Sequence, residues 1–532
     1  MTRVPVRPAA LGATALAAAL VLAGCSAGGG SSNSASGGSN KTLVVDNTFD
    51  LKTSDPARAF ELTGSIVDKA IYETALTFQG GDTTKPLPQL TTYKESADNK
   101  VLTLTLNGKH SFSSGDPVTI DDIVWSYKRV QGIAGNPSFL LTDQATGKNL
   151  DIAKTSSTTM TITDTNPNPA LPFILPNPSL GVLDSKLVMK HGGTTTKDDG
   201  AEQYLNGHSA GSGPSELTSY SATTKVVFGP NPHYVGSKPA YGRVVLQNVT
   251  GPSQKIDVQG GQAQVATGLN AQQVQGIGSG LKVLKSTSPD VGYMWLNQNP
   301  TYGKGVTNNP DFVTAVHKGL NYPDILAVAG AGSSQPGGMV PSQFLGSIPP
   351  DATNTYDAAA AKAALAKSGY KGQTLTLSYP TDATLSGVEF STLAQKVQSQ
   401  LQAIGITVKL SGTPISTLLD AYRAGKLQAG IMYWGPDFPD PSDYTTFSPG
   451  EALGLRAGWA ASMSPEVTKA KQAAEAATGT DRAAAYAAWQ RAANTAGTFV
   501  PLLQPARYIV TAGSISKVEP NAVWTGDLAA IK

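Results

Sequence analysis

One alternation in the second half of the chain limits the possible folds more than any other feature. Apolar runs typical of buried strands alternate there with apolar stripes at helical spacing. In order, the pattern predicts a strand, a helix, a strand, a helix and a strand at Leu375–Tyr379, Phe390–Ile404, Ile406–Leu410, Ile415–Ala424 and Gln428–Trp434. This order produces a mainly parallel sheet with helices packed against its faces, so we expect an α/β protein.

The rest of the chain predicts further strands and two marked helices. An apolar face indicates a helix over Thr119–Val130, and Thr119 and Asp122 are spaced as a capping box. The Ala-rich stretch Met463–Ala496 predicts one helical segment that starts at Ser464–Pro465. Because roughly 500 residues exceed what one core usually serves, two or three domains are expected. Strands are expected at Lys41–Asn47, Ala70–Phe78, Val101–Leu106, Met160–Thr163, Lys225–Phe228 and Arg243–Val249.

The single cysteine, Cys25, lies at a position typical of an exported protein. A basic start precedes an apolar run, Ala9–Ala23, which at about 15 residues is shorter than the roughly 20 of a membrane-spanning helix. We therefore predict a signal peptide over residues 1–24 and a flexible tether over residues 25–40. The sequence around Cys25 resembles the lipobox of bacterial lipoproteins, which implies that its thiol carries diacylglycerol. The alternative is an ordinary signal peptide that happens to contain a cysteine.

Charge and hydropathy exclude several classes of protein. Residues 1–24 contain two of the 40 Lys and Arg residues and no acid, which leaves 38 basic and 38 acidic residues. The remaining chain thus has no large basic field for nucleic acid or anionic lipid. No second apolar run reaches the roughly 18 residues of a membrane span, which argues against a channel. With one cysteine no intrachain disulfide can form, so an ordinary hydrophobic core must stabilise the fold.

Motifs of common enzymes and metal sites are absent from the sequence. No two of the five histidines lie within five residues of each other, and there is no HExxH, CxxC or Asp-rich calcium loop. A nucleophile elbow and a G-x-x-x-x-G-K-[ST] loop are also missing. We therefore expect no metal, no cofactor and no catalytic residues.

The most unusual local composition follows the last predicted strand of the alternation. The stretch Met432–Tyr444 holds Trp434, Asp437, Phe438 and Tyr444 among prolines. Ligands of open α/β sheets bind outside the carboxyl ends of strands, and aromatic walls with one carboxylate suit a ligand that has a cationic end. The alternative is a turn in which the aspartates shape the backbone and the aromatic residues belong to the core.

Trp434–Pro441 resembles the W-x-x-D-[YF]-x-D-P segment of extracytoplasmic solute-binding proteins of the peptide/nickel type. These proteins are the receptors of oligopeptide and dipeptide ABC transporters. Further segments are similar to motifs of that family, in the same order, between about residues 43 and 525. They are Ile71–Leu76, Pro88–Tyr93, Phe112–Ile123, Gly211–Pro214, Tyr293–Asn297 and Tyr356–Leu365.

The resemblance implies a two-lobe periplasmic-binding-protein-like fold with a ligand cleft between the lobes and the extra domain of the oligopeptide-binding type. It places lobe I, which is discontinuous, at residues 41–74, 196–283 and 506–532. The extra domain is expected at residues 75–195 and lobe II at residues 284–505. Hinge motion between the lobes would enclose the ligand.

The resemblance also implies a site. Asp437 takes the position that pairs with the ligand α-amino group, Trp434 and Tyr433 are its pocket neighbours, and Tyr293 is a further candidate. For Tyr433 and Tyr293, packing in the core is an equally good interpretation. The implied partners are a peptide or other small solute, an ABC permease and, through it, the ATPase. We expect a lipid-anchored monomer at the extracytoplasmic face of the bacterial membrane.

Other functions stay open at this point. The same receptor fold can bind a metal chelate, an opine, an oligosaccharide or a signalling peptide, because the pocket and not the fold selects the ligand. A secreted lipoprotein hydrolase would need a nucleophile and base, or two carboxylates, that meet in the cleft. A lipoprotein that uses the fold only for surface contact would show no stabilisation by ligand.

Overall fold

The computed structural model of the protein describes residues 41–143 and 146–532. The predicted signal peptide (1–24), Cys25 and the tether up to residue 40 lie outside the described residues. Within the described part of the chain, no helix is both long and apolar enough to cross a membrane. In the same residues, no three His, Cys, Asp or Glu side chains form a cluster that could hold a metal ion.

Strands occur along the whole described chain, mostly five to seven residues long. In chain order they are β1 (Thr42–Asn47), β2 (Leu76–Gln79), β3 (Asp82–Pro88), β4 (Thr91–Glu95), β5 (Val101–Leu106), β6 (Asp151–Lys154), β7 (Thr159–Thr163), β8 (Ser215–Tyr220), β9 (Lys225–Pro230), β10 (Arg243–Asn248), β11 (Val265–Leu269), β12 (Leu281–Thr287), β13 (Val291–Leu296), β14 (Leu375–Pro380), β15 (Thr384–Leu385), β16 (Val388–Glu389), β17 (Val408–Thr413), β18 (Ala429–Trp434), β19 (Phe499–Leu503), β20 (Ala506–Ala512), β21 (Pro520–Asn521) and β22 (Thr525–Gly526).

Several helices begin at a side chain that accepts a hydrogen bond from the first turn, as Asn309, Asn321 and Asp357 do. In chain order the helices are α1 (Leu62–Ile71), α2 (Ile120–Ile133), α3 (Leu171–Ile174), α4 (Ser185–Lys190), α5 (Glu202–Leu205), α6 (Gly251–Gly260), α7 (Pro300–Gly303), α8 (Pro310–Gly319), α9 (Tyr322–Ala329), α10 (Ala358–Lys367), α11 (Phe390–Ala403), α12 (Ile415–Arg423), α13 (Ala452–Arg456), α14 (Pro465–Ala476) and α15 (Asp481–Ala496). Short 3₁₀ turns cover Asn136–Leu141, Pro178–Leu180, Pro441–Phe447 and Leu528–Ala530.

Three sheets organise the molecule. The seven-stranded sheet has the order β12-β20-β11-β1-β10-β9-β8, and the five-stranded sheet has the order β17-β14-β18-β13-β19. We call the parts built on these two sheets the first and second lobes. A four-stranded sheet, β4-β5-β7-β6, forms a further layered unit with α2. Each sheet packs on its own apolar cluster.

The alternation predicted from the second half of the sequence is confirmed. Strand β14 pairs in parallel with β17, where Leu375 lies opposite Val408, and with β18, where Leu377 lies opposite Ala429. Helix α11 buries its predicted stripe, including Leu393 and Val397, against this sheet. The chain is the α/β protein that we expected.

The predicted capping box of α2 is also confirmed. The Thr119 side chain accepts a hydrogen bond from the Asp122 backbone N–H, and the Asp122 carboxylate accepts one from the Thr119 N–H. Two backbone N–H groups at the start of the helix are thereby satisfied.

Two predicted elements are wrong. Ala70–Phe78 is not one strand, because α1 runs to Ile71 and β2 begins only at Leu76. The apolar residues of α1 recur at helical spacing, which the short stretch did not reveal. Met463–Ala496 is not one continuous helix, because α14 and α15 are separated at Gly479, which has a φ of +55°. That backbone conformation ends a helix and favours glycine.

The first lobe takes its strands from separate parts of the chain, namely β1, β8 to β12 and β20. The chain passes between the two large sheets from β12 to β13 and back from β19 to β20. Residues 288–290 and 504–505 are these two connections. The domain boundaries given above stay a prediction.

Candidate functional site

Three cavities with shared walls lie around the connections between the lobes. The large cavity has a volume of about 580 Å³ and is lined by the first lobe, by Asp290, and by residues 382–389 and Tyr433 of the second lobe. The small cavity, of about 160 Å³, has Asn177, Asp290, Asp437 and Arg507 in its wall. The intermediate cavity, of about 360 Å³, lies between residues 81–84 and 520–522. Asp290 and Arg507 line both the large and the small cavity, and Arg507 also lines the intermediate one.

The loop after β18 carries three aspartates with different surroundings. Asp440 forms an ion pair with the buried Arg482 at 2.7 Å and accepts a hydrogen bond from the Ser442 N–H. Asp443 accepts a hydrogen bond from the Asp437 backbone N–H at 2.9 Å. Asp437 itself is part-buried and lines the small cavity, and no cation within the described residues forms an ion pair with it. Two of the aspartates therefore shape the loop, and Asp437 faces the cavity.

Burial dominates the electrostatics of Asp437. Loss of solvent raises its pKa to about 7. Burial also raises the pKa of Asp443 well above its usual range, and the negative charge of Asp437 adds to this effect. Because no cation offsets the two carboxyl groups, they do not both ionise readily near neutral pH. A cationic group placed in the small cavity would favour the ionised form of Asp437.

The loop is anchored outside the second lobe. Phe438 is buried in the core beside the four-stranded sheet, among residues such as Leu175 and Leu180. The Asn177 side-chain amide donates a hydrogen bond to the Asp437 carbonyl oxygen at 2.9 Å. The position of Asp437 is therefore fixed by contacts with the unit that is built on the four-stranded sheet.

Tyr433 lies on the cleft wall, as one interpretation of the sequence predicted. Its ring stacks on Phe390 with 6.1 Å between the centroids, and it lines both the large and the small cavity. Burial and the nearby Asp290 and Asp50 raise its pKa to about 12. The phenol therefore stays neutral at physiological pH and can donate or accept a hydrogen bond.

Trp434 and Tyr293 pack on the opposite face of the five-stranded sheet. Tyr293 is 1% exposed, and its hydroxyl lies 3.3 Å from that of Tyr422. The rings of both Tyr293 and Trp434 meet Phe447 edge to face. The Trp434 indole N–H is buried, and its contact with the Asp443 carboxyl opposes the rise in the pKa of that group. Neither side chain lines the three cavities, so the structure brings only Tyr433 and Asp437 together at the cleft.

Asp290 and Arg507 are site residues that the sequence did not reveal. Asp290 follows the end of β12 and Arg507 is the second residue of β20, so both lie at the connections between the lobes. A carboxylate oxygen of Asp290 lies 3.7 Å from the Arg507 guanidinium. A Cβ at Gly435 would lie 2.5 Å from the other carboxylate oxygen, so the loop after β18 also closes on Asp290. These residues are distant in sequence, and no local pattern marks them.

Several motifs quoted for the resemblance contact each other. Gly213 donates a backbone hydrogen bond to Ile71 at 2.8 Å, and a Cβ on Gly211 would lie 2.3 Å from the same carbonyl oxygen. Glu73 accepts a hydrogen bond from His110 at 3.0 Å, which raises the histidine pKa. These contacts join neighbouring segments of the fold and lie outside the three cavities.

Comparisons with known proteins agree with this architecture. The family model for bacterial extracellular solute-binding proteins, family 5 Middle, matches residues 85–452. A probable D,D-dipeptide-binding periplasmic protein of Escherichia coli is 26% identical over 75% of this chain and 75% of its own length.

Solved structures show the same fold. The periplasmic binding protein DppA of Helicobacter pylori, in complex with the peptide STSA, has a TM-score of 0.76 at 19% identity, covering 92% of this chain and 98% of its own. A dipeptide-binding protein of a Pseudoalteromonas species, in complex with Met-Leu, has a TM-score of 0.77 at 17% identity, covering 92% of this chain and all of its own (100%). The fold is thus the two-lobe type of periplasmic peptide-binding proteins.

Proposed function

The chain belongs to the bacterial extracellular solute-binding proteins of family 5, and we propose that it captures short peptides in the cleft between its lobes. The observation that carries the proposal is the Asp437 carboxyl group, which lines the small cavity without a cationic partner among the described residues. The α-amino group of a peptide supplies that missing charge. The peptides named for the similar proteins above support this ligand class.

The surroundings of Asp437 suit recognition of a peptide end. Asp437 would accept charge-assisted hydrogen bonds from the ammonium group, which are stronger than neutral ones. Tyr433 offers an apolar ring and a neutral hydroxyl beside the peptide backbone. The adjoining large cavity, of about 580 Å³, leaves room for side chains or further residues. No chemical step on the ligand is part of the proposal.

Closure around the ligand would use the two connections between the lobes. The Ser288 N–H donates to the Pro505 carbonyl oxygen at 2.9 Å, and the Gln504 side-chain amide donates to the Ser288 carbonyl oxygen at 2.7 Å. These bonds hold the connections side by side as a paired hinge. Bending there moves the lobes without breaking either core.

We place the receptor at the outer face of the cell membrane and propose that it delivers its ligand to an ABC permease. Diacylglycerol on Cys25 would be the anchor and residues 26–40 the tether. The near-balance of charge in the chain after residue 24 supports anchoring by lipid, since a basic patch for the membrane surface is missing from the sequence. One acyl-bearing residue keeps the receptor beside its permease without restricting lobe motion.

Calorimetric titration with Met-Leu tests the proposal through Asp437→Asn. We expect the variant to bind Met-Leu roughly 10- to 100-fold more weakly, because a hydrogen bond to a charged group is lost. N-acetyl-Met-Leu should bind both proteins weakly and about equally. Asp420→Asn is the control, since that carboxylate is 84% exposed on α12. Unchanged affinity of Asp437→Asn for Met-Leu would remove Asp437 from this role.

A further inference from the structure

The hairpin of β21 and β22 stands at the border between two of the three cavities. The two strands pair antiparallel, and residues 522–524 form the turn between them. Ala522 and Val523, at the tip of the hairpin, line the small cavity together with Asp437. Ala522 also lines the intermediate cavity. The tip is therefore part of the wall that separates these two cavities.

Contacts with two neighbouring elements hold the hairpin in place. The Trp524 ring stacks on Phe78 of β2 with 6.0 Å between the centroids. From α1, the Lys69 side-chain nitrogen lies 4.3 Å from the centroid of the same Trp524 ring. The Asn521 side-chain amide donates a hydrogen bond to the Gly80 carbonyl oxygen at 2.6 Å. The hairpin is thus attached both to α1 of the first lobe and to the turn between β2 and β3.

The backbone of the hairpin also depends on its surroundings. Thr525 has a φ of +63°, which is unusual for a β-branched residue and persists only where tertiary contacts impose it. On its other side, Ala522 packs against the aromatic cluster of the second lobe that includes Tyr293 and Phe447. Because the tip is held from several directions, a larger side chain at its end would fill cavity space rather than displace the loop.

The small cavity cannot hold a whole peptide. Its volume is about 160 Å³, whereas sites for small molecules usually have at least about 300 Å³. A peptide whose amino end lies at Asp437 must therefore continue into a neighbouring cavity. The small cavity shares wall residues with both the large and the intermediate cavity.

The two neighbouring cavities differ in charge. The carboxyl side chains that line the large cavity are Asp50, Asp290, Asp382 and Glu389. Of the described residues that line the intermediate cavity, Asp82 alone is acidic. Hydroxyl and amide side chains, such as those of Thr84 and Gln343, supply most of its other polar groups. A peptide main chain has neutral donors and acceptors and carries a negative charge at its end, so the intermediate cavity suits the later residues of a peptide better.

We infer that Ala522 determines the length of the peptides that the receptor accepts. The residues shared by the small and the intermediate cavity are Pro289, Arg507 and Ala522, and Ala522 has the smallest side chain of the three. This leaves space at the hairpin tip for a ligand to continue, so that a third residue lies in the intermediate cavity. A larger side chain there would fill the border and restrict the ligand to two residues. The inference rests on the proposed function and extends it to peptides of three residues.

Calorimetric titration with Met-Leu and with Met-Leu-Ala tests the inference. We expect wild type to bind Met-Leu-Ala at least as tightly as Met-Leu. Ala522→Leu should weaken Met-Leu-Ala by at least about tenfold and change Met-Leu by less than about threefold, because the added atoms overlap only the third residue. Ala522→Ser, which is close in size to wild type, should keep both affinities. Ala366→Leu, at an exposed position of α10, is the control and should also keep both.

Each outcome separates the inference from the proposal on which it rests. If wild type binds Met-Leu but rejects Met-Leu-Ala, or if Ala522→Leu weakens both peptides equally or neither, the role of Ala522 is overturned and peptide capture stands. Failure of wild type to bind either peptide would overturn both. Ala522→Val adds less volume and should show the same selective loss to a smaller degree, so it decides the question if the leucine variant does not fold.

Discussion

Two buried acidic clusters in this protein have opposite electrostatics. The side chains of Asp55 and Asp199 are fully buried, and Arg129 and Arg58 form ion pairs with them. Asp437 and Asp443 are also withdrawn from water, but no arginine or lysine among the described residues contacts them. The first cluster holds its own counter-charges, and the second lacks them.

The pKa values follow from this difference. Burial opposes ionisation of Asp199, but hydrogen bonds and the charge of Arg129 outweigh it and lower the pKa to about 2. For Asp437 burial prevails and raises the pKa to about 7. The paired cluster lies at the junction between the first lobe and α2, whereas Asp437, on the cavity wall, is the carboxyl that we propose for a cationic ligand group.

Removing a counter-charge from the compensated cluster should have the largest effect. Arg129→Met leaves two buried carboxylates with Arg58 alone, and we expect a loss of about 3–5 kcal/mol in the free energy of unfolding. Urea denaturation followed by circular dichroism measures it. Arg423→Met, at an exposed position, should change the free energy by less than about 0.5 kcal/mol. A loss below about 1 kcal/mol in Arg129→Met would mean that the arginine does not compensate the cluster.

The cluster of Asp437 and Asp443 should lose stability as the pH rises, whereas the cluster of Asp55 and Asp199 should lose stability as the pH falls. Because the folded state raises the pKa of Asp437 to about 7, its stabilising contribution is complete below about pH 4 and is lost as the pH rises toward 7. Asp437→Asn lacks this titration. We therefore expect the variant to gain stability over wild type, by about 3 kcal/mol, between pH 4 and pH 7.5. Urea denaturation at both pH values measures the gain, and a constant difference would contradict the raised pKa.

A smaller effect is expected from the packing of the loop on Asp290. In Gly435→Ala the new Cβ would lie 2.5 Å from a carboxylate oxygen of Asp290, so the loop or the aspartate must move. We expect Met-Leu affinity to fall by about three- to tenfold with little change in the free energy of unfolding. Gly278→Ala, where a Cβ meets no atom within 4 Å, is the control. Wild-type affinity in Gly435→Ala would show that this contact does not position the site.

The sequence predicted the architecture better than the site. The periodicity of apolar residues was enough to predict the strands and helices between Leu375 and Trp434, because the apolar side chains there are the buried ones. The helix α1 was missed because its polar residues interrupt a short apolar pattern.

The site depended on tertiary contacts. Asp437 was found from its motif, but nothing in the motif distinguishes it from Asp440, which Arg482 neutralises from 42 positions further along the chain. Arg507 and Asp290 meet only because two connections cross between the lobes. Tyr293 points toward the aromatic core because its face of β13 meets Phe447. No local pattern in the sequence indicates which face of the strand that is.

The count of protons released on binding tests the central claim most directly. Titration of Met-Leu at pH 6.5 in two buffers of different ionisation enthalpy measures this number. With the pKa of Asp437 near 7 in the free receptor, an arriving ammonium should expel the proton, so wild type should release more than about half a proton and Asp437→Asn almost none. Release near zero in wild type, or equal release in both proteins, would contradict the account of Asp437 as the uncompensated carboxyl that awaits the ligand.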